Sequence, residues 1–519
     1  MTYITRAYPS RSFKLPTMFW LYLSVPFLAI FAIFMLYVLY ILYIRYVKFG
    51  HIPRAPLKYS FTSFFLGHAT VLIDTADDWR KKIRVWGEWS RDHGDFFGFF
   101  VFHNAIMITD NHIVAKQLMT SKKYLKNEEG YKDMMNVFGR RCETLIGNGL
   151  LTDVDHEHWY RKRQLLNPAF HKLALKDLMD EFNLGADCMV SKLLSLADGE
   201  TTVSLLDIVN RTALDVIGRT AFGLDIDSLN NNKSPFPTSI RLALQGVTSG
   251  YKEPFCQYNP WKRKYVMDVR NACEFLRSFG RKIINERLAL VEDGVDLPND
   301  ILTNILKSTK VDPSVTLEEL VDDFVTFFVA GQETTANTIA FLLQEVGKRP
   351  EVLMRLVEEV DEVIGQKRHI IYDDLAKLEY MNLCLKEILR MYPVATATIR
   401  GTTEETVIAG FKIPAETSIM VSFGNIHHKE CYFKDPEEFK PERFMDESQR
   451  EYFTYMPFSA GMRNCIGQNF AMIESRVVLC KLLQTFKYTL LPNQSDKVTE
   501  ATTIKPSSGV MATLQLRDD

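Results

Sequence analysis

Hydrophobic positions along this chain form one unbroken block near the amino terminus, followed by a long series of helix-spaced repeats. Residues 17–44 carry no charged side chain and are dense in Phe, Leu, Ile, Tyr and Val. As a helix they would run about 42 Å, more than a hydrocarbon core of roughly 30 Å, which implies tilt or an interfacial portion. The block is too long for the apolar region of a cleaved signal peptide, and no small-residue cleavage site follows it. It therefore reads as an uncleaved transmembrane anchor behind a short flank, 1–16. Arg6, Arg11 and Lys14 precede the anchor, while Arg45, Lys48, Arg54 and Lys58 follow it. That is a slight bias towards a cytosolic carboxyl-terminal side.

Pro53 and Pro56 stiffen a linker over 45–56 and forbid a continuous helix there. No second linker, internal repeat or low-complexity stretch follows, so 57–519 reads as one domain, larger than usual. Thr316, Leu317, Glu318 and Glu319 make a capping box, and the apolar run behind it predicts a helix to about Lys348. Pro350 opens the next helix, with Val352, Leu353, Leu356, Val357, Val360 and Val363 on one face and Gly365 at its end. Strand-like pieces are short, as at 405–408 and 418–421. The fold class is mainly α with minor β.

Composition changes this picture little. Hydrophobic residues are 46% and charged residues 24% of the chain, the balance of a folded globular protein. A net charge of -2 gives no case for nucleic-acid binding. The eight cysteines include no CxxC pair, which argues against a disulfide scaffold and a zinc ribbon.

One cysteine stands apart. The stretch from Pro457 to Gly467 places Cys465 two residues after Arg463 and brackets it with Gly461 and Gly467. Such glycines allow a tight turn whose backbone N–H groups point at one atom. A helix pattern follows from Asn469 to about Phe486, and its positive end favours a thiolate. An iron-bound thiolate needs these donors, because they disperse its charge and tune its potential.

This stretch resembles the haem-binding loop of the cytochrome P450 family, Phe-x-x-Gly-x-Arg-x-Cys-x-Gly, at Phe458, Gly461, Arg463, Cys465 and Gly467. The resemblance implies haem b with Cys465 as the axial iron ligand. Three further segments match in order. Ala330-Gly331-Gln332-Glu333-Thr334 lies inside the capped helix. A glycine in mid-helix costs about 1 kcal/mol relative to Ala, and room for a ligand beside the backbone would justify it. The family's matching Thr and acid, here Thr334 and Glu333, relay protons for dioxygen cleavage. Glu387, Arg390 and Arg443 match the family's charge triad behind the haem. Trp159 and Arg163, and separately Arg400, match residues that bind a haem propionate, a task that suits the planar guanidinium fork. Arg161 and Lys162 read as a solvated basic helix end that would help dock an acidic redox partner.

Within the family the chain looks most similar to the cholesterol 24-hydroxylases, for example at 324–331, 359–365 and 453–459. That resemblance implies hydroxylation of a sterol side chain, with electrons from NADPH passed through cytochrome P450 reductase. It also implies a single pass through the endoplasmic reticulum membrane, with the catalytic domain in the cytosol. Asn136, Val137, Phe138 and Gly139 fall in the loop that lines the pocket of relatives, and Ala330 is a further candidate pocket residue. Thr396 and Ile399 stand where the sterol enzymes carry aromatic residues, which changes the pocket's shape and apolar area. A fatty acid or a xenobiotic is the alternative substrate. Other classes with parts of this pattern are a haem-thiolate isomerase or dehydratase, a non-catalytic haem protein and a haem-free scaffold. The isomerase needs no proton relay, so Thr334 and Glu333 speak for the monooxygenase.

Overall fold

The computed structural model describes residues 17–57, 60–138, 144–253, 255–295, 297–309, 315–448 and 450–517. The flank 1–16 and Gly139 lie outside the described residues. Helix α1 (Thr17–Leu42) continues into a wider helical turn over Tyr43–Lys48. Residues Pro26–Lys48 form a helix long and apolar enough to cross a membrane. Side chains such as Phe27, Phe31 and Leu36 are exposed on it.

The segment behind this helix is built into the domain. Ile44, Phe49, Ile52 and Ala55 are buried among core side chains. The Ala55 N–H donates to the Gly98 carbonyl at 2.9 Å, and the Gly98 N–H to the Pro53 carbonyl at 2.8 Å. The helix ends at Lys48, and the segment around Pro53 pairs with a sheet edge.

The body is mainly helical, in keeping with the hydrophobic pattern. Its helices include α2 (Trp79–His93), α3 (His156–Leu166), α4 (Leu205–Phe222), α5 (Arg263–Glu292) and α6 (Leu317–Gly347). Then come α7 (Pro350–Val363), α8 (Glu379–Met391) and α9 (Gln468–Thr485). The Thr316–Glu319 capping box is formed on α6. A sheet of five strands flanks the bundle. Its strands are β1 (Phe96–Val101), β2 (Asn104–Thr109), β3 (Tyr124–Leu125), β4 (Ala397–Thr402) and β5 (Ser418–Ser422), in the order β1-β2-β5-β4-β3. A separate hairpin pairs β6 (Val498–Glu500) with β7 (Ile504–Pro506).

Helix α6 is the central element, packed against α4, α5 and α9. Phe324 and Phe328 lie 4.2 Å and 5.2 Å, by ring centroids, from Phe222 of α4. Gly331 serves this packing: a Cβ there would lie 3.1 Å from Ile217 of α4. The mid-helix glycine thus lets a neighbouring helix approach. The amino-terminal part of α6 is tied down by charge. Asp322 accepts from Arg277 of α5 at 2.6 Å, and Asp323 pairs with Lys162 of α3 at 3.3 Å. Lys162 is 3% exposed. It is a buried structural partner of α6 and offers no docking surface, a correction to its reading as a solvated helix end.

Glu474 of α9 is buried against α6, with no ion-pair partner among the described residues. Burial lifts its pKa well above the usual carboxylate range, and the Thr335 hydroxyl opposes this only in part. A pKa raised by folding gives stability that is complete below the unfolded value. That stability is lost as pH climbs through the folded value. Glu474→Gln should therefore flatten the fall in stability above about pH 4.3, the unfolded glutamate value. Denaturant midpoints measured across pH would show a variant gain that grows with pH, whereas a constant offset would mean that Glu474 does not titrate with folding.

Candidate active site

In α6 every residue from Val321 to Val346 is buried except four. Val329, Ala330, Gly331 and Thr334 are half-buried, and Ala330 and Thr334 stand one turn apart. Between Val321 and Val346 the helix is incompletely covered only around Ala330 and Thr334. The loop before α9 has the complementary property. Cys465 keeps accessible surface, yet desolvation by the surrounding protein raises its thiol pKa. Segment 396–399 is half-buried at Thr396, Ala397 and Ile399.

The loop conformation follows from its sequence. The Cys465 N–H donates to the Phe458 carbonyl at 2.9 Å and closes the turn. Gly461 has φ +69°, and a Cβ there would meet the Met119 carbonyl oxygen at 2.2 Å, so only glycine fits. Gly467 caps α9 and its N–H donates towards the Cys465 sulfur, which favours the thiolate. Arg163 of α3 acts in the same sense through its charge. Its guanidinium donates to the Asn464 carbonyl at 2.8 Å, Asn464 Oδ1 at 3.0 Å and Asn167 Oδ1 at 2.7 Å. In this structure Arg163 braces the cysteine loop through three of its five N–H donors.

Two further arginines carry a buried donor without a hydrogen-bond partner. Arg463 rests 3.9 Å above the ring of buried Trp159 and donates through Nη1 to the Asp153 carbonyl at 2.8 Å. Arg400 donates through Nη1 to Thr398 Oγ1 at 2.8 Å. The Nη2 of each arginine is buried without a hydrogen-bond partner. Burial and the neighbouring Arg400 push the Arg463 pKa down to about 10.

Lys126 joins them, a residue that sequence reasoning missed. The β3–β4 register pairs Leu125 with Gly401 and so brings Lys126 beside Arg400. Burial, Arg400 and Arg463 lower the Lys126 pKa to about 8. Burial would raise the Tyr131 phenol, but Lys126 and Arg400 bring it down to about 8. Nothing in the local sequence marks Lys126 or Tyr131, because their neighbours come from β4 and the cysteine loop. This cluster fits a buried ligand with carboxylates. With a thiol bordering the same interior, the residues fit haem.

The triad residues meet behind the loop. Glu387 accepts from Arg390 at 2.8 Å and 2.9 Å, from Arg443 Nε at 3.0 Å and from the Lys440 N–H at 2.9 Å. Glu387 and Arg390 are fully buried. Thr334 Oγ1 donates to the Ala330 carbonyl at 2.8 Å, and Glu333 pairs with Lys505 of β7 at 3.5 Å. The structure therefore turns these two neighbours towards different surroundings. Among the expected pocket residues, Thr396 donates to Glu500 at 3.3 Å and the Ile399 N–H donates to the Tyr131 hydroxyl at 3.3 Å. Phe138 is buried at φ +63° against Tyr265 of α5.

The cytochrome P450 family model matches residues 66–514. The chain belongs to the cytochrome P450 family. It is 32% identical to pig cytochrome P450 3A29 over 69% of this chain and 74% of that one. It is 29% identical to human cytochrome P450 4V2 over 87% and 88%, and 29% identical to Drosophila melanogaster cytochrome P450 4d2 over 78% and 82%. The family is one of haem monooxygenases whose iron is held by a cysteine thiolate.

Removing Glu387 leaves Arg390 and Arg443 facing each other without their carboxylate. Loss of one member of a buried charge cluster costs roughly 3–5 kcal/mol. Glu387→Ala should yield protein without haem, read as the ratio of haem to protein absorbance. A wild-type ratio would contradict a role for the triad in cofactor retention.

Proposed function

We propose that this P450 is a membrane-anchored monooxygenase that hydroxylates a lipophilic substrate, with Cys465 as the iron ligand. The observation that carries the reading is the pairing of a desolvated yet accessible Cys465 with the uncovered Ala330–Thr334 face of α6. Electrons come from NADPH through a membrane reductase. The apolar helix Pro26–Lys48 supports a membrane location, as do Phe255, Tyr258 and Trp261, which is 92% exposed. The endoplasmic reticulum, with the domain in the cytosol, is the compartment that the family resemblance implies.

Haem supplies the activation of dioxygen, so that one oxygen atom enters a C–H bond and the other leaves as water. The chain's own residues prepare that event. Arg400, Arg463 and Lys126 bind the propionates, and Trp159 holds Arg463 in place. Arg163 and the Gly467 N–H stabilise the Cys465 thiolate. Thr334 presents a hydroxyl to the interior space, with Glu333 next to it as the proton source.

For the substrate, the resemblance to cholesterol 24-hydroxylases carries a sterol side chain. A second reading, a long-chain fatty acid or a xenobiotic, is favoured by Thr396, whose hydroxyl bonds to Glu500 where the sterol enzymes have an aromatic wall. Optical titration of the ferric protein with cholesterol and, separately, oleate decides between them. A saturable low-spin to high-spin change with cholesterol alone supports the sterol. A change with oleate alone supports the fatty acid, and with neither the sterol reading falls. Thr334→Ala should lower product formed per NADPH and release peroxide, by about tenfold or more if the hydroxyl carries protons. Unchanged coupling would refute that role.

A further inference from the structure

One imidazole ring joins the buried arginines to the start of α6. His158, in the first turn of α3, places Nδ1 2.5 Å from Asp153 Oδ2 and Nε2 within hydrogen-bond distance of Glu319 Oε1. Asp153 is 2% exposed, and its backbone carbonyl is the group that accepts from Arg463 Nη1. Glu319 uses its other oxygen, Oε2, to accept from the Thr316 N–H at 2.6 Å and the Thr316 hydroxyl at 2.9 Å, within the capping box of α6. Among the described residues His158 is the only side chain that hydrogen-bonds the Asp153 carboxylate.

A neutral imidazole has one N–H and one lone pair. Here both ring nitrogens face a carboxylate, and a lone pair that close to a carboxylate oxygen is repelled. The geometry therefore calls for an N–H on each nitrogen, which makes both bonds charge-assisted. Burial lifts the Asp153 carboxyl above its usual range, and His158 opposes that rise. Two more charged groups lie close by. Arg161 Nη2 is 3.6 Å from Glu319 Oε1, and Asp155 caps α3 by accepting from the His158 backbone N–H at 3.0 Å.

We propose that His158 is a positioning residue of the haem site, a clamp from α6 that fixes the Asp153 carbonyl under Arg463 and so keeps the second Arg463 nitrogen directed for a propionate. This inference rests on the reading of Arg463 as a propionate ligand. Arg463 spends Nη1 on Asp153, lies over Trp159 at 3.9 Å and keeps Nη2 without a protein partner. A guanidinium is planar, so fixing one nitrogen and the ring face fixes the direction of the other nitrogen. The Asp153 segment has no helix of its own, and His158 ties it to the long α6. Without the clamp Arg463 loses its fixed direction, while the Cys465 turn keeps its own bond to the Phe458 carbonyl.

The test compares full-length, haem-loaded wild type with His158→Phe, His158→Gln, His158→Lys, Arg463→Lys and the His158→Phe/Arg463→Lys double variant. Haem loss is timed by transfer to excess apomyoglobin, and the propionate bending band of the ferric protein is read by resonance Raman. His158→Phe should lose haem about tenfold faster, move the propionate band and lower the midpoint potential, because a positive charge beside the haem is less well held. His158→Gln keeps one donor and should change the same readouts by less, which preserves the test if His158→Phe does not fold. His158→Lys should recover most of the wild-type behaviour, since an ammonium also donates to two carboxylates. His158→Phe should add little to Arg463→Lys. An unmoved propionate band in both His158→Phe and His158→Gln overturns the positioning role, even where stability falls. So does a full further effect of His158→Phe in the Arg463→Lys background. Wild-type haem loss and band position in Arg463→Lys alone overturn the reading of Arg463 as a propionate ligand, and the inference with it.

Discussion

Lys126, Arg400 and Arg463 bring three positive charges into one largely buried region, and two of the guanidinium groups keep a donor that no protein atom accepts. Like charges in a medium of low dielectric repel strongly, and an unmet buried donor adds its own cost. A fold tolerates such a cluster when a bound anion neutralises it. Much of the surrounding structure keeps the cluster in place: Trp159 beneath Arg463, Thr398 under Arg400 and the short β3–β4 pairing that delivers Lys126. Cofactor binding and stability are linked here, because a ligand that binds only the folded state stabilises it.

Helix α6 shows how one element reconciles packing with chemistry. Its amino-terminal part is fixed by Asp322 and Asp323, which reach α5 and α3. Its middle gives up side-chain volume at Gly331 so that Ile217 can approach, while Ala330 and Thr334 leave the opposite surroundings open. Its carboxyl-terminal part is buried on all sides. A rigid helix uncovered at one place holds the Thr334 hydroxyl steady relative to the cysteine loop. The loop is rigid for a separate reason: Gly461 allows a backbone path that no other residue fits, and Arg163 ties Asn464 to α3.

By itself the sequence determined the helical class, the apolar amino-terminal helix, the capped helix from Leu317 to Gly347 and the glycine-bracketed cysteine, since each depends on neighbours along the chain. Capping, 3.6-residue periodicity and tight-turn glycines act over a few residues and leave a local signature. Tertiary structure alone decided which charges meet. Lys162 reads as a solvated helix end, yet it is buried because Asp323 of a distant helix faces it. Residues 45–56 read as a proline-stiffened linker, yet part of that linker, Pro53 to Ala55, pairs with Gly98 at the sheet edge. Lys126 carries no local mark, and only the pairing of β3 with β4 sets it beside Arg400. Glu333 and Thr334 adjoin in sequence, but adjacent helical positions diverge by about 100°, and their side chains take partners from different elements. The physical reason is one of range. Backbone preferences are fixed within a few residues, whereas burial and ion pairing depend on which segments the fold brings together.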